Sequence, residues 1–88
     1  MTVVFRTRGE DWDKFIDTLR SRKGEIQSAG CSRVWLHRNR KHPEEWMMVQ
    51  QWPDKASFDR FSQDLGPKLD KEAGVRWSDV STWEEVTV

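Results

Sequence analysis

The chain has 88 residues, and its 15 lysines and arginines balance 15 aspartates and glutamates, so the formal net charge is zero. A chain of this length forms one domain with room for about two helices and four strands. The balanced charge gives no long-range attraction to nucleic acid or to an anionic membrane. Its one cysteine, Cys31, excludes an internal disulfide and a cysteine-rich metal site. We therefore expect a single domain over residues 1–88 with no metal, nucleic-acid or membrane partner.

The amino terminus, Met1 to Arg6, lacks the apolar run of a signal peptide, and no stretch is long enough to span a bilayer. We therefore expect a cytoplasmic location. Six tryptophans and four phenylalanines are many for so short a chain, since each aromatic side chain buries roughly 150–250 Å². They predict a packed core, an interface between chains or an aromatic pocket.

The first part of the chain predicts a strand followed by a helix. Residues 3–8 form a short β-rich run that ends at Gly9. Asp11 is a candidate helix N-cap, and apolar residues then recur at helical spacing. This pattern predicts one long amphipathic helix over residues 11–28, which Gly30 ends.

Two further predicted strands follow, over residues 32–38 and 45–52, joined by a polar and basic loop. The second of these strands is apolar on both faces: Trp46, Met48, Gln50 and Trp52 alternate with Met47, Val49 and Gln51. An antiparallel sheet with one wetted face would show polar residues on that face. Both faces therefore need a cover, and so short a chain has too few elements to supply both. This predicts a homodimer.

The remainder predicts a second helix and a fourth strand. Pro53 and Asp54 form a helix start, and Phe58, Phe61 and Leu65 follow as its inward stripe. Gly66-Pro67 is expected to interrupt this helix. Residues 75–83 predict the fourth strand, with residues 84–88 as a candidate extension.

The predicted order is β-α-β-β-α-β, a ferredoxin-like α+β fold with a four-stranded antiparallel sheet. We expect the helices to cover one sheet face, burying Val34 and Leu36 together with Met47 and Val49, or else the residues that alternate with these. In this register the other face carries the following residues and needs a second copy as its cover: Trp35, Trp46, Met48 and Trp52.

Two segments resemble the antibiotic-biosynthesis-monooxygenase-like group of dimeric α+β barrel proteins. Ala29-Gly30-Cys31 resembles the small-Gly-Cys turn before that group's second strand, and residues 52–58 resemble the segment that joins its third strand to its second helix. The resemblance implies a dimer in which two four-stranded sheets meet face to face, forming an α+β barrel. Some members oxidise quinols, anthrones or related phenols with molecular oxygen and no cofactor, which implies an aromatic small-molecule ligand here.

The resemblance also places Trp52 near the substrate pocket. Cofactor-free oxygenation needs a base or cation that favours deprotonation of the substrate, and a dry cavity that protects the resulting anion. His37 is the candidate base, because imidazole titrates near neutral pH, and Arg33 on the same strand face is the candidate for stabilising an oxyanion. The candidate substrate-binding residues are Trp35, Trp46, Met48, Phe58 and Trp77.

Two alternatives remain open. Quinol oxygenases of this group can carry an asparagine and a tyrosine where this chain has Met48 and Phe58, and the histidine of the haem-degrading relatives is replaced by Phe61-Ser62. A non-catalytic dimeric protein that binds a small molecule or assists an enzyme is therefore the main alternative. An RNA-binding module shares the order of elements, but its basic and glycine-aromatic pattern is missing from the third predicted strand.

Overall fold

The computed structural model describes residues 1–88 as a four-stranded antiparallel sheet with four helices. In chain order the elements are β1 (Thr2–Gly9), α1 (Trp12–Ser21), α2 (Lys23–Ala29), β2 (Arg33–Arg38), β3 (Glu45–Gln51), α3 (Lys55–Gln63), α4 (Leu65–Ala73) and β4 (Val75–Trp83). The strands lie in the order β2-β3-β1-β4, and each neighbouring pair is antiparallel. The ferredoxin-like α+β prediction is confirmed.

Aspartates begin the helical segments on both sides of the β2–β3 hairpin. The Asp11 carboxylate accepts a hydrogen bond from the backbone N–H of Asp13 at 2.8 Å, and Asp54 accepts one from the N–H of Ser57 at 2.8 Å. Each bond satisfies a donor that has no partner inside its helix. The same bond holds the pKa of Asp54 below its usual value, so protonation of Asp54 at low pH weakens this cap.

The first helical segment differs from the prediction of one continuous helix. It is divided at Arg22, whose backbone (φ −102°, ψ 6°) leaves the helical region between α1 and α2. The Arg22 guanidinium binds Glu25 at 2.7 Å and Glu72 of α4 at 2.8 Å. The position of the break therefore coincides with a contact to a distant helix, which local periodicity does not encode.

The second helical segment is interrupted at Asp64 (φ −115°, ψ −79°) and not at Gly66-Pro67 as predicted. Pro67 lies in the first turn of α4, where a backbone N–H has no partner within the helix, so the missing donor costs nothing. Residues 84–88 have no regular structure, so the candidate extension of β4 is not formed. None of the helices has the length and apolar character needed to cross a bilayer.

The register of the sheet corrects the predicted assignment of faces. Val34 pairs with Gln50 and Leu36 pairs with Met48, so the apolar residues of β2 share the helix-covered face with the buried residues of β3. Residues that pair directly across strands point to the same side of a sheet. The expectation that Trp35 shares a face with Trp46 and Met48 is therefore wrong, because Trp35 pairs with Val49 on the opposite side.

Two aromatic clusters attach the helices to the sheet. In the first, the ring of Trp46 lies 4.8 Å from that of Phe15 and 5.5 Å from that of Trp12. In the second, the ring of Trp52 lies 4.9 Å from Phe61 and 5.7 Å from Phe58. These separations suit tilted and edge-on aromatic packing, so both tryptophans serve the core of the domain.

Replacing Gly24 with alanine should stabilise the protein by about 0.5–1 kcal/mol, because alanine restricts the unfolded chain and favours the helix. A Cβ atom at Gly24 would meet nothing within 4 Å, so the substitution introduces no clash. Urea denaturation would measure the gain in the free energy of unfolding, as a higher midpoint with an unchanged m-value. Gly66→Ala is the matched control, since its Cβ would approach the backbone oxygen of Phe61 to 3.1 Å. Equal changes in the two variants would contradict this account.

Candidate functional site

A cavity of about 360 Å³ lies between the sheet and the helices. Its volume falls in the range of small-molecule pockets, about 300–1,000 Å³. The walls come from three strands and three helices and are mainly apolar: Phe5, Phe15, Leu19, Met48, Gln50, Phe58, Phe61, Ser62, Gly66, Pro67, Leu69, Asp70, Ala73, Ser78 and Val80.

The cavity reaches the β4 edge of the sheet. Val80 pairs with Phe5 and therefore points to the helix-covered side, yet its side chain remains 46% exposed. The helices thus leave β4 partly uncovered. Ser78, two residues earlier on the same face, also lines the cavity. The cavity therefore opens at this edge, between β4 and α4.

Gln50 is a polar residue in the largely apolar sheet wall, and it is fully buried. Its Oε1 accepts a hydrogen bond from the Trp52 indole Nε1 at 2.8 Å. Because an indole N–H can only donate, this bond fixes the orientation of the amide. Gln50 Nε2 then faces the Met48 thioether, with Sδ at 3.5 Å. A thioether is a weak acceptor. Because Gln50 is 0% exposed, a ligand oxygen can accept from this amide only by displacing the Met48 thioether.

Asp70 stands on the opposite, helical wall. On α4 it belongs to the stripe Gly66, Leu69, Asp70 and Ala73, whose spacing places all four on one helix face, and all four line the cavity. The Asp70 residue as a whole is exposed at the rim of the cavity. The surrounding protein nevertheless removes part of its hydration, and this desolvation raises the pKa of its carboxyl group. Asp70 takes part in no ion pair.

The other side of the sheet, here named the open face, is not covered by the helices. Its apolar surface is formed by Val4, Trp35, Met47, Val49 and Trp77. The guanidinium of Arg33 lies 4.1 Å from the centre of the Trp35 ring, and that of Arg8 lies 5.5 Å from the centre of the Trp77 ring. These separations allow cation–π attraction.

The structure divides the sequence-predicted site residues between the two sides of the sheet. On the helix side, Met48 and Phe58 line the cavity, while Trp46 and Trp52 are buried beside it in the core. On the open face lie the remaining four: Arg33, Trp35, His37 and Trp77. His37 pairs with Met47 and is exposed, so within one chain the sheet separates it from the cavity.

The sequence-based reasoning did not select Gln50 or Asp70. Gln50 had a visible signal, because it is the polar member of the set Trp46, Met48, Gln50 and Trp52 on one strand face. Asp70 had none, since a carboxylate on an amphipathic helix is ordinarily a solvated surface group. Its place at the cavity depends on how α4 is rotated against the sheet.

A ferredoxin-like sheet with a cavity of about 360 Å³ between it and its helices defines this chain as a small α+β domain. Residues 1–65 match the family model described as antibiotic biosynthesis monooxygenase. The chain therefore belongs to the antibiotic biosynthesis monooxygenase family. Among the curated proteins there is no significant match.

Solved structures share this fold at low sequence identity. A Bordetella bronchiseptica protein provisionally named an antibiotic biosynthesis monooxygenase superposes with a TM-score of 0.81 at 16% identity, covering 98% of this chain and 96% of its own. A mutant of SnoaB, described as a cofactor-independent oxygenase from Streptomyces nogalater, gives a TM-score of 0.72 at 18% identity, covering 97% of this chain and 93% of its own. PA3566 from Pseudomonas aeruginosa gives a TM-score of 0.72 at 20% identity, covering 98% of this chain and 93% of its own. At these identities the likeness establishes the fold.

Proposed function

We propose that this chain is a cofactor-independent monooxygenase that acts on a phenolic, quinol or anthrone-like aromatic molecule. The observation that carries the proposal is the cavity of about 360 Å³, which has phenylalanine side chains on both its sheet and helix walls. Membership of the antibiotic biosynthesis monooxygenase family supports oxygenase chemistry. The description of SnoaB, a structural relative, as a cofactor-independent oxygenase supports chemistry without a cofactor.

The reaction has a simple balance. An activated CH₂ group of the substrate loses a proton, and the resulting anion is oxidised by dioxygen to a hydroperoxide after the proton is returned. Loss of water from the hydroperoxide leaves a carbonyl group, so CH₂ and O₂ become C=O and H₂O. The protein has to bind a flat ring system, stabilise its anion and exclude bulk water.

The walls of the cavity suit such a substrate. Phe5 on the sheet meets Phe58 on α3 edge to face, with ring centres 6.1 Å apart. Phe15 and Phe61 add further apolar surface from α1 and α3, and Met48 supplies an adaptable thioether between them. Gln50 and Asp70 supply an amide and a carboxylate on opposite walls, and Ser62 and Ser78 add hydroxyl groups. An oxygenated polycyclic molecule matches this division into apolar walls and few polar groups.

Oxygen uptake with a panel of anthrones and quinols tests the proposal. Turnover should exceed the uncatalysed rate and follow saturation kinetics. Ser78→Trp should reduce turnover at least about tenfold by filling the cavity mouth with an indole. Ser28→Trp is the matched control, because Ser28 is exposed on α2, away from both this cavity and the open face.

Two results would contradict the proposal. The absence of both turnover and ligand binding would remove it together with the aromatic-ligand assignment. Binding that Ser78→Trp abolishes, without oxygen consumption for any member of the panel, would favour a non-catalytic binding protein of the same fold. Met48 and Phe58 favour this second candidate, because the family's catalytic members can carry an asparagine and a tyrosine at these positions.

We further propose that two chains associate through the open face. Met47 and Trp77 are 38% and 44% exposed there, beside the apolar side chains of Val4, Val49 and Trp35. Both charge signs are present on this face, with Arg8 and Arg33 opposed by Asp79. A twofold interface brings a patch against itself, so a patch with both signs can be self-complementary.

A further inference from the structure

We propose that Asp70 is the base that accepts the substrate proton, and that the Gln50 amide donates to the oxygen on which the negative charge develops. This inference rests on the proposed oxygenase function and assigns two of the polar residues that line the cavity to it. Neither residue belongs to the set that the sequence selected, in which His37 and Arg33 had these roles. The substrate class that follows is a carbon or oxygen acid whose anion is delocalised onto a ring oxygen.

The geometry places the two groups on facing walls. Gln50 comes from β3, in the sheet wall, and Asp70 comes from α4, in the helix wall. A flat substrate lying between these walls presents one edge to each. Gln50 is oriented by the 2.8 Å hydrogen bond from Trp52, so only its N–H side is left for a ligand. That N–H contacts the Met48 thioether at 3.5 Å, and the flexible Met48 side chain has to move aside before the ligand oxygen takes its place.

The proton transfer conserves atoms and charge. The Asp70 carboxylate takes a proton from the activated CH₂ or O–H group of the substrate and becomes a neutral carboxylic acid. The electron pair of the broken bond moves into the ring system and onto the ring oxygen, which accepts a hydrogen bond from Gln50 Nε2. Dioxygen then adds to the anion, Asp70 returns its proton to the peroxide, and water leaves from the hydroperoxide.

The surroundings of Asp70 suit this role. The other lining residues, from β1, β3, β4, α1, α3 and α4, carry no charged side chain, so Asp70 faces no cation that would stabilise its ionised form. Its pKa is raised by desolvation, which makes the carboxylate a stronger base than an ordinary aspartate. His37 lies on the far side of the sheet and has no access to the cavity within the chain.

Asp70→Asn tests the base, because it keeps the shape of the side chain and removes its proton affinity. We expect kcat to fall at least about a hundredfold, the lower range for loss of a general base. Ligand affinity, measured by quenching of tryptophan fluorescence, should change less than about threefold. Asp70→Glu should restore part of the rate. Asp17→Asn, on the exposed side of α1, is the matched control with the same change of charge and should leave kcat unchanged.

The pH profile separates a base from a structural residue. A general base must be ionised, so kcat/KM of the wild type should fall as pH drops through the raised pKa of Asp70. Asp70→Asn should lack this acidic limb.

The fold should survive the substitution, because the folded chain holds the Asp70 proton more tightly than the unfolded chain and ionised Asp70 therefore does not stabilise the fold. The wild type therefore loses stability as pH rises through the folded pKa, whereas the asparagine variant does not.

Two variants test Gln50. Gln50→Glu keeps an acceptor for the Trp52 indole and removes the amide N–H. Gln50→Met removes the acceptor and the N–H together without adding charge. Each should lower kcat by about a hundredfold, as expected for loss of one oxyanion donor. If wild-type turnover is intact but Asp70→Asn retains its kcat and acidic limb while His37→Ala loses activity, this inference fails and the oxygenase function stands. If the wild type neither binds nor turns over the panel, both fail.

Discussion

Replacement of Trp46 with alanine is expected to lower the free energy of unfolding by about 3–5 kcal/mol, the usual cost of truncating a buried aromatic residue. Trp46 is only 3% exposed and packs against Phe15 and Trp12 of α1. Its indole N–H also donates to the carbonyl oxygen of Pro43 at 3.0 Å, which anchors the β2–β3 loop. The substitution removes all of these contacts together.

Urea denaturation followed by circular dichroism measures this loss. Domains of this kind unfold with about 5–15 kcal/mol in total, so the variant should have a much lower denaturation midpoint. Trp35→Ala is the matched control, because the same residue type on the neighbouring strand faces the other side of the sheet and is half-buried. At protein concentrations that keep both variants monomeric, equal losses would contradict the assignment of Trp46 to the core.

A lysine in place of Val49 should convert the proposed dimer into monomers of 10.5 kDa. Val49 lies on β3, an interior strand of the sheet, and pairs with Val4 on one side and Trp35 on the other. Each copy would bring one ammonium group into an apolar contact. Burying a charge without a partner is strongly unfavourable, and two such charges near a twofold axis also repel each other.

Light scattering on a size-exclusion column measures the mass directly. The wild type should show twice 10.5 kDa, and Val49→Lys should show half of that mass with an unchanged circular dichroism spectrum. Gln63→Lys adds the same charge at an exposed position on α3 and should remain dimeric. A monomeric wild type would overturn the open-face interface, and a dimeric Val49→Lys would place the interface on another surface.

The sequence predicted the order of the elements because each depends on local signals. Alternation of apolar residues marks the strands, and Asp11 and Asp54 mark two helix starts through bonds to residues two or three positions away. Register is different in kind, since it depends on how two strands meet. Trp35 pairs with Val49, which puts it on the face opposite Trp46. This pairing follows from the hairpin geometry, which the alternation within either strand does not specify.

The same distinction applies to the cavity. The sequence placed Met48 and Phe58 at a pocket because both adjoin the Trp52 segment, and both line the cavity. Asp70 could not be selected in this way. Its position follows from the packing of Leu69 and Ala73, which are 5% and 2% exposed, and these contacts fix the rotation of α4 about its axis. The separation of His37 from the cavity likewise follows from the pairing of β2 with β3.

Alternation along β3 has a consequence for how this protein can diversify. Met48 and Gln50 face the cavity, while Met47 and Val49 face the open side. Neighbouring positions therefore affect different surfaces: substitutions at 48 and 50 change the cavity wall, and substitutions at 47 and 49 change the open face. If both proposals hold, the ligand range can change at the first pair of positions while the dimer contact is preserved at the second. A library randomised at positions 48 and 50 alone would explore ligand range without altering the residues of the opposite surface.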